Sequence, residues 1–132
     1  MHAKAHNPMT PAEWKVMKIV WDQGPCAGRD VYEVAGKAQG WAPTTVKTIL
    51  RRLVEKGFLK TTQVGNSFLY RPVRSALKSL HRAADALLEH TVEGTVAPLL
   101  AYMVKKGDLS ADELAELRSL LDELSALEEK PS

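Results

Sequence analysis

The chain predicts a mainly α protein with one small β-hairpin, and three features of its sequence carry that expectation. Apolar residues recur at helical spacing in six separate stretches. Only between Phe58 and Val73 does the pattern change to short runs rich in Thr, Val, Phe and Tyr. Two capping signatures, Thr10-Pro11-Ala12-Glu13 and Ser110-Ala111-Asp112-Glu113, mark helix starts: in each, the first side chain and the last exchange hydrogen bonds with N–H groups the helix cannot satisfy.

The first helix follows Thr10, with Pro11 where a missing N–H costs nothing. It carries Trp14, Met17, Val20 and Trp21 as its buried stripe and stops at Gly24-Pro25. Val31, Val34, Ala35 and Ala38 mark a second helix that Gly40 ends. After a short loop, "TTVKTILRRLVEKGFL" (Thr44–Leu59) sets Val46, Ile49, Leu50, Leu53 and Val54 on one apolar face. Thr44, Thr45, Lys47, Thr48 and Arg51 project elsewhere, and Gly57 closes the helix. Phe58–Gln63 and Ser67–Val73 then read as two strands around a Val64-Gly65-Asn66 turn. Beyond Ser75 the chain reads as helical throughout. Leu77, Leu80, Ala84, Leu87 and Leu88 mark a fourth helix, and Val96, Leu99, Leu100 and Met103 a fifth. In the fifth, Pro98 is tolerable within the first turn, and Lys105-Lys106-Gly107 closes it. The sixth carries Leu114, Leu117, Leu120, Leu121, Leu124 and Leu127.

Three helices and a hairpin within residues 9–74 give the order of a winged helix-turn-helix. In that arrangement the first helix and the hairpin cover the apolar faces of the second and third helices. The polar face of the third stays outward, where it fits a DNA major groove. Residues 75–129 form a helical region whose leucine-rich faces are too large for a monomeric appendage. Self-association through Leu99, Leu100, Met103, Leu114, Leu117, Leu121 and Leu124 would bury them; the alternative is that these helices fold back onto their own winged helix.

Charge divides along the same line. Residues 1–75 hold 12 Lys and Arg against 5 Asp and Glu, a net +7, and residues 76–132 hold 6 against 11, a net −5. A basic half suits a polyanion, double-stranded DNA being the expected partner, and an acidic half suits another task. The candidate DNA contacts are Thr44, Thr45, Lys47, Thr48, Arg51 and Arg52 on the third helix, with Lys60, Asn66 and Arg71 on the hairpin. Thr45 could instead cap the helix, Arg52 could face the second helix or the wing, and Asn66 could serve only the turn. His2, His6, His81 and His90 lack metal-ligand spacing and read as surface residues. Cys26 is the only cysteine, which excludes an intramolecular disulfide and reads as a small buried or strand-edge residue. The three tryptophans read as packing residues. No nucleophile–base pair, paired carboxylate or phosphate-cradling loop appears, so neither enzyme activity nor a cofactor or metal is expected. Nor does any apolar run approach membrane-spanning length, and the N-terminal stretch lacks the apolar core of a secretion signal; a cytoplasmic protein is the expectation.

Three stretches, "MTPAEWKVMKIVWDQGP", "TTVKTILRRLVEKGFL" and "LLAYMVKKGDLSADELAELRSLLDEL", resemble the penicillinase-repressor (BlaI/MecI/CopY) family of bacterial transcription regulators over nearly all of Met9–Leu127. The resemblance implies a homodimeric repressor on a palindromic operator. In antibiotic-sensing members, a signal from a membrane sensor leads to cleavage of an Asn-Phe bond. The corresponding position here is Tyr102–Met103, a departure at both side chains. Copper-responsive members carry a C-terminal cysteine cluster; "LSALEEKPS" contains none. Two other readings compete: a small-molecule sensor with a pocket lined by Tyr102 and Met103 in the helical region, and a winged-helix protein-interaction module that does not bind DNA. The basic third helix argues against the latter.

Overall fold

The computed structural model describes residues 8–129, so His2 and His6 lie outside the described residues. Along the chain run α1 (Pro11–Gln23), β1 (Cys26–Ala27), α2 (Gly28–Gln39), α3 (Pro43–Glu55), β2 (Leu59–Val64) and β3 (Ser67–Pro72). Then follow α4 (Ala76–Leu88), α5 (Val96–Lys106) and α6 (Ala111–Glu129). This is a mainly α protein with a winged helix-turn-helix at its N-terminal end. The chain divides into two compact units after Ala86, so most of α4 belongs to the first.

Within the first unit, α1 begins as its capping box dictates. Thr10 Oγ1 accepts the Glu13 N–H at 3.2 Å, and Glu13 Oε1 accepts the Thr10 N–H at 2.8 Å. The helix buries Val16, Met17 and Val20, whereas Trp14 and Trp21 are only half-buried. The stripe is therefore rotated from the one expected: the indoles sit at its margin, their rings 6.0 Å apart. Trp21 Nε1–H donates to the Arg74 carbonyl at 3.0 Å, tying α1 to the chain that leaves β3. A ring with one polar edge belongs at such a boundary, since full burial would leave that edge without a partner.

Val31 and Ala35 of α2 are buried, Val34 is half-buried, and Ala38, expected inside, is exposed. From α3 come Val46, Ile49, Leu50 and Leu53, all buried, and Leu59 completes the core beneath the hairpin. Burying such side chains supplies roughly 1.5–3 kcal/mol each, and this drives the helices together. The exit of α3 is a complete Schellman motif. Lys56 is the cap, and Gly57 stands at φ +86°, a conformation disfavoured for a residue with a Cβ. The Gly57 N–H reaches the Val54 carbonyl at 3.1 Å, and the Phe58 N–H reaches that of Leu53 at 2.9 Å. The chain thus passes from α3 into β2 with a fixed geometry.

The sheet has three strands, in the order β1-β3-β2, all antiparallel. Its third strand was not expected: Cys26 and Ala27 pair with Tyr70 and Leu69. Two residues carry no readable alternation, and only β3 lying alongside makes them a strand. The hairpin turn is also tighter than the three residues expected. Val64 pairs with Ser67, leaving Gly65-Asn66 as the turn, with φ +63° at Gly65. Glycine at the first central position is the preference of a type II′ turn, whose twist matches that of the strands.

Ser75 caps α4, its Oγ accepting the Lys78 N–H at 3.1 Å. Ser79 is the one buried residue of that helix, while Leu77 and Leu80 face outward. In the second unit, Ser110 and Glu113 form the expected capping box at the start of α6, at 3.0 and 3.1 Å. Gly107 differs from expectation. Its φ is −76°, and the left-handed residue is Asp108 at φ +52°. Gly107 is needed for space instead, because a Cβ there would stand 2.9 Å from the Met103 carbonyl oxygen.

Glu13 has a second partner across the first unit. The Lys56 ammonium lies 2.8 Å from Glu13 Oε1 and also donates to the Pro8 carbonyl at 3.2 Å. The carboxylate side chain is 3 % exposed. Glu13→Ala is expected to lower unfolding stability by roughly 1–3 kcal/mol, because it leaves the partly exposed Lys56 ammonium with only the Pro8 carbonyl and the Thr10 N–H without its acceptor. Glu13→Gln, which keeps the capping geometry, should lose distinctly less. Urea denaturation of both variants measures the difference.

Candidate nucleic-acid interface

Burial of Val46, Ile49, Leu50 and Leu53 forces the opposite face of α3 outward. Lys47 and Arg51, one turn apart, are both exposed there, as are Thr44 and Thr45. Thr48 is half-buried, and its hydroxyl donates to the Thr44 carbonyl at 3.0 Å. With its hydrogen committed to the helix, Thr48 presents a methyl group and acceptor lone pairs. The capping position belongs to Ala42, with Pro43 next and no side-chain cap bond, so Thr45 is not the cap. Its N–H instead reaches the Ala42 carbonyl at 3.0 Å.

This face forms one wall of an open groove. Thr44, Lys47, Thr48, Arg51 and Val54 line it from α3, and Thr61 and Tyr70 line it from the hairpin. Thr61 and Tyr70 are register partners, which puts both on the same face of the sheet. Burial, with the Tyr32 phenol as a smaller influence, holds the Tyr70 hydroxyl above the usual tyrosine range. It therefore remains a hydrogen-bond donor throughout the neutral range. No acidic side chain lines the groove.

Of the nine candidate contacts, the groove brings together Thr44, Lys47, Thr48 and Arg51. Thr45 and Arg52 are exposed outside it. Lys60 and Arg71 are register partners of each other, one step from Thr61 and Tyr70, and alternation puts them on the other face of the hairpin. There Arg71 Nε donates to Thr62 Oγ1 at 3.2 Å. Asn66 occupies the turn, exposed. Three lining residues escaped the sequence reading. Val54 had been assigned to the core, but it is half-buried and forms groove wall. Thr61 and Tyr70 were available from alternation starting at buried Leu59, a signal that the hairpin's cations obscured.

Elsewhere, Cys26 is buried, and burial followed by the charge of Asp30 pushes its thiol up, which disfavours the reactive thiolate. His81 and His90 are exposed. Among the described residues no group of three or more His, Cys, Asp or Glu could hold a metal ion, and no helix is long and apolar enough to cross a membrane. In the second unit, Leu100, Met103, Leu114, Leu121 and Leu124 are exposed, and Leu99 and Leu117 are half-buried. Tyr102, also exposed, lies under the Lys106 ammonium at 5.8 Å.

A hairpin set beside a helix whose outward face is basic and hydroxylic defines a winged helix-turn-helix protein with a recognition groove. The penicillinase repressor family model matches residues 9–123, and the chain belongs to that family, which is made of transcriptional repressors and not of enzymes. It is 34% identical over 119 residues to an uncharacterized 16.5 kDa protein in the ptsI 3′ region of Latilactobacillus sakei, covering 90% of this chain and 82% of that one. It is 28% identical over 114 residues to the methicillin resistance regulatory protein MecI of Staphylococcus aureus, covering 86% and 93%. With the penicillinase repressor of Bacillus licheniformis it shares 28% over 115 residues, covering 87% and 90%. Among solved structures, the monomeric form of Bacillus licheniformis BlaI in complex with the blaP half-operator aligns at 31% identity and a TM-score of 0.49, over 53% of this chain and 85% of that one.

A spectrophotometric titration tests the groove's electrostatics. Tyr70→Phe should delete phenolate absorbance that develops above the ordinary tyrosine range. Loss of absorbance at or below that range would show that the Tyr70 ring is not shielded as described.

Proposed function

We propose that this chain is a sequence-specific DNA-binding repressor acting as a homodimer on a palindromic operator. The observation that carries the proposal is the groove, where Lys47 and Arg51 stand one turn apart beside threonine hydroxyls, with no carboxylate among its lining residues. Lysine and arginine can pair with phosphates or with guanine edges, and threonine can donate to phosphates or touch a thymine methyl. Family membership and the names of the relatives, one a regulatory protein and one a repressor, support the same reading. Pull-down of genomic fragments by the purified protein, followed by sequencing, tests it; failure to enrich any common site overturns it.

The second unit supports the dimer. From Val92 to Glu128, Leu99, Val104, Leu109 and Leu117 are half-buried and every other residue is exposed. Most helical stability in proteins comes from packing an apolar face, so these helices need a covering surface. A second copy brings a matching leucine stripe, and a two-fold axis sets two α3 helices over two half-sites.

We further propose relief by proteolysis signalled from a membrane sensor, with the cut at Tyr102–Met103, where both side chains depart from the Asn-Phe of the antibiotic-sensing members. Both side chains are exposed, but the bond lies inside α5, so α5 must open locally before a protease can seat an extended strand. A C-terminal fragment starting at Met103 in induced cells supports this route. An intact chain in fully derepressed cells overturns it in favour of release by a ligand or partner.

Lys47→Ala and Arg51→Ala should each weaken operator binding by roughly 1–3 kcal/mol where they touch bases. Where they touch only phosphate, each should reduce the salt slope by about one unit. Gel shifts across a salt series separate the two outcomes, and unchanged affinity in both variants sinks the docking. Leu117→Asp with Leu121→Asp should give a protein that sediments as a monomer, at a cost to the dimer of several kcal/mol, with the winged helix still folded. A double variant that stays dimeric moves the interface off α6.

A further inference from the structure

The recognition face of the wing does not end at Tyr70. Side chains two apart on a strand share a face, so Gln63 and Phe68, the next register pair outward, stand on the same side as Thr61 and Tyr70. Phe68 is 56 % exposed. Among the described residues the close ring pair is the tilted one of Trp14 with Trp21, and Phe68 makes no such contact. Its strand partner leaves it uncovered as well, because Gln63 Nε2 turns back to donate to the Gly65 carbonyl at 3.2 Å. An aromatic ring held at the end of a hairpin, on the face continuous with the groove, does not serve the core.

The chemistry of that face narrows what the ring meets. The hairpin's cations, Lys60 and Arg71, are on its other side, so the outer end of the recognition face offers phosphates nothing but an amide and a ring. Two further residues of strand carry the ring about 7 Å beyond Tyr70. The major groove is about 12 Å wide, half of it on the hairpin side of a centred α3. Tyr70 already stands beside α3 and not on its axis, so a hairpin directed away from α3 would bring the ring to the bordering phosphate strand and the minor groove beyond it. Phenylalanine is among the side chains that wedge against base steps there, favouring steps that unstack easily.

Resting on the reading of this chain as a duplex-DNA-binding protein, we propose that Phe68 is a second sequence reader, an apolar wedge in the minor groove flanking the half-site that α3 occupies. It adds preference for deformable steps at positions that the α3 side chains do not touch.

The test is selection from a library of random-sequence duplexes by the full chain, wild type and Phe68 variants in parallel. The wild type should enrich a core motif plus flanking positions rich in TA or CA steps. Phe68→Ala should keep the core and lose the flanks, bind the wild-type motif about tenfold more weakly, and show an unchanged salt slope, since no charge is removed. Phe68→Leu, which retains a wedge, should keep the flanks. Selection of the same flanks by Phe68→Ala overturns the proposal, as it would if the ring served a protein partner. Loss of core and flanks together also overturns it, reducing Phe68 to a support for the hairpin. A wild type that enriches no motif refutes the repressor reading itself, a result distinct from either of these.

Discussion

The Glu13 carboxylate holds three parts of the winged helix to one point. It closes the capping box at Thr10, so α1 begins there and nowhere else along the apolar stretch that follows. It pairs with Lys56, the residue on which α3 ends. Through that lysine it also fixes the Pro8 carbonyl, the chain's approach to α1. A carboxylate so thoroughly removed from water is tolerable because its Oε1 accepts from both the Thr10 N–H and the Lys56 ammonium. The consequence is geometric. With the end of α3 pinned to the start of α1, the left-handed Gly57 aims β2 in one direction, and the wing cannot drift relative to the recognition helix.

From that constraint follows the groove. Were the hairpin free to swing, Thr61 and Tyr70 would not face Lys47 and Arg51 across a fixed gap. The β1 pairing reinforces the arrangement, since it ties β3 to the segment between α1 and α2 and makes it the central strand. Trp21, hydrogen-bonded to the Arg74 carbonyl, holds the far end of β3 against α1. The interface is thus a rigid helix and a braced hairpin, a pre-organised surface for a rigid partner such as duplex DNA.

The second unit obeys a different economy of surface. Its helices are well signalled, by the Ser110–Glu113 box and by the tight passage at Gly107, yet its residues find no core of their own. Leucines at helical spacing that stay exposed in a single chain are a demand for a partner, and in the proposed repressor a second copy meets it. That half is also acidic, so a polyanion would be drawn to the basic half and not to it.

Local chemistry was legible in the residues themselves. Capping boxes, apolar spacing and the glycines at Gly57 and Gly65 act through neighbours a few positions away, so helix starts, the face of α3 and the hairpin could be read without coordinates. The outward position of Lys47 and Arg51 followed for the same reason, being fixed by the burial of Val46, Ile49 and Leu50 in the same helix. Long-range partners decided the rest. Glu13 reads as a cap but is also half of a buried ion pair whose other member lies 43 residues away. Cys26 and Ala27 become a strand only because β3 passes beside them. Lys60 and Arg71, which charge marks as contacts, fall on the face of the hairpin opposite the groove, while Thr61, Tyr70 and Phe68 take the groove side. A strand shows its two faces in alternation, and which of them meets α3 is settled only when Leu59 enters the core formed by three helices.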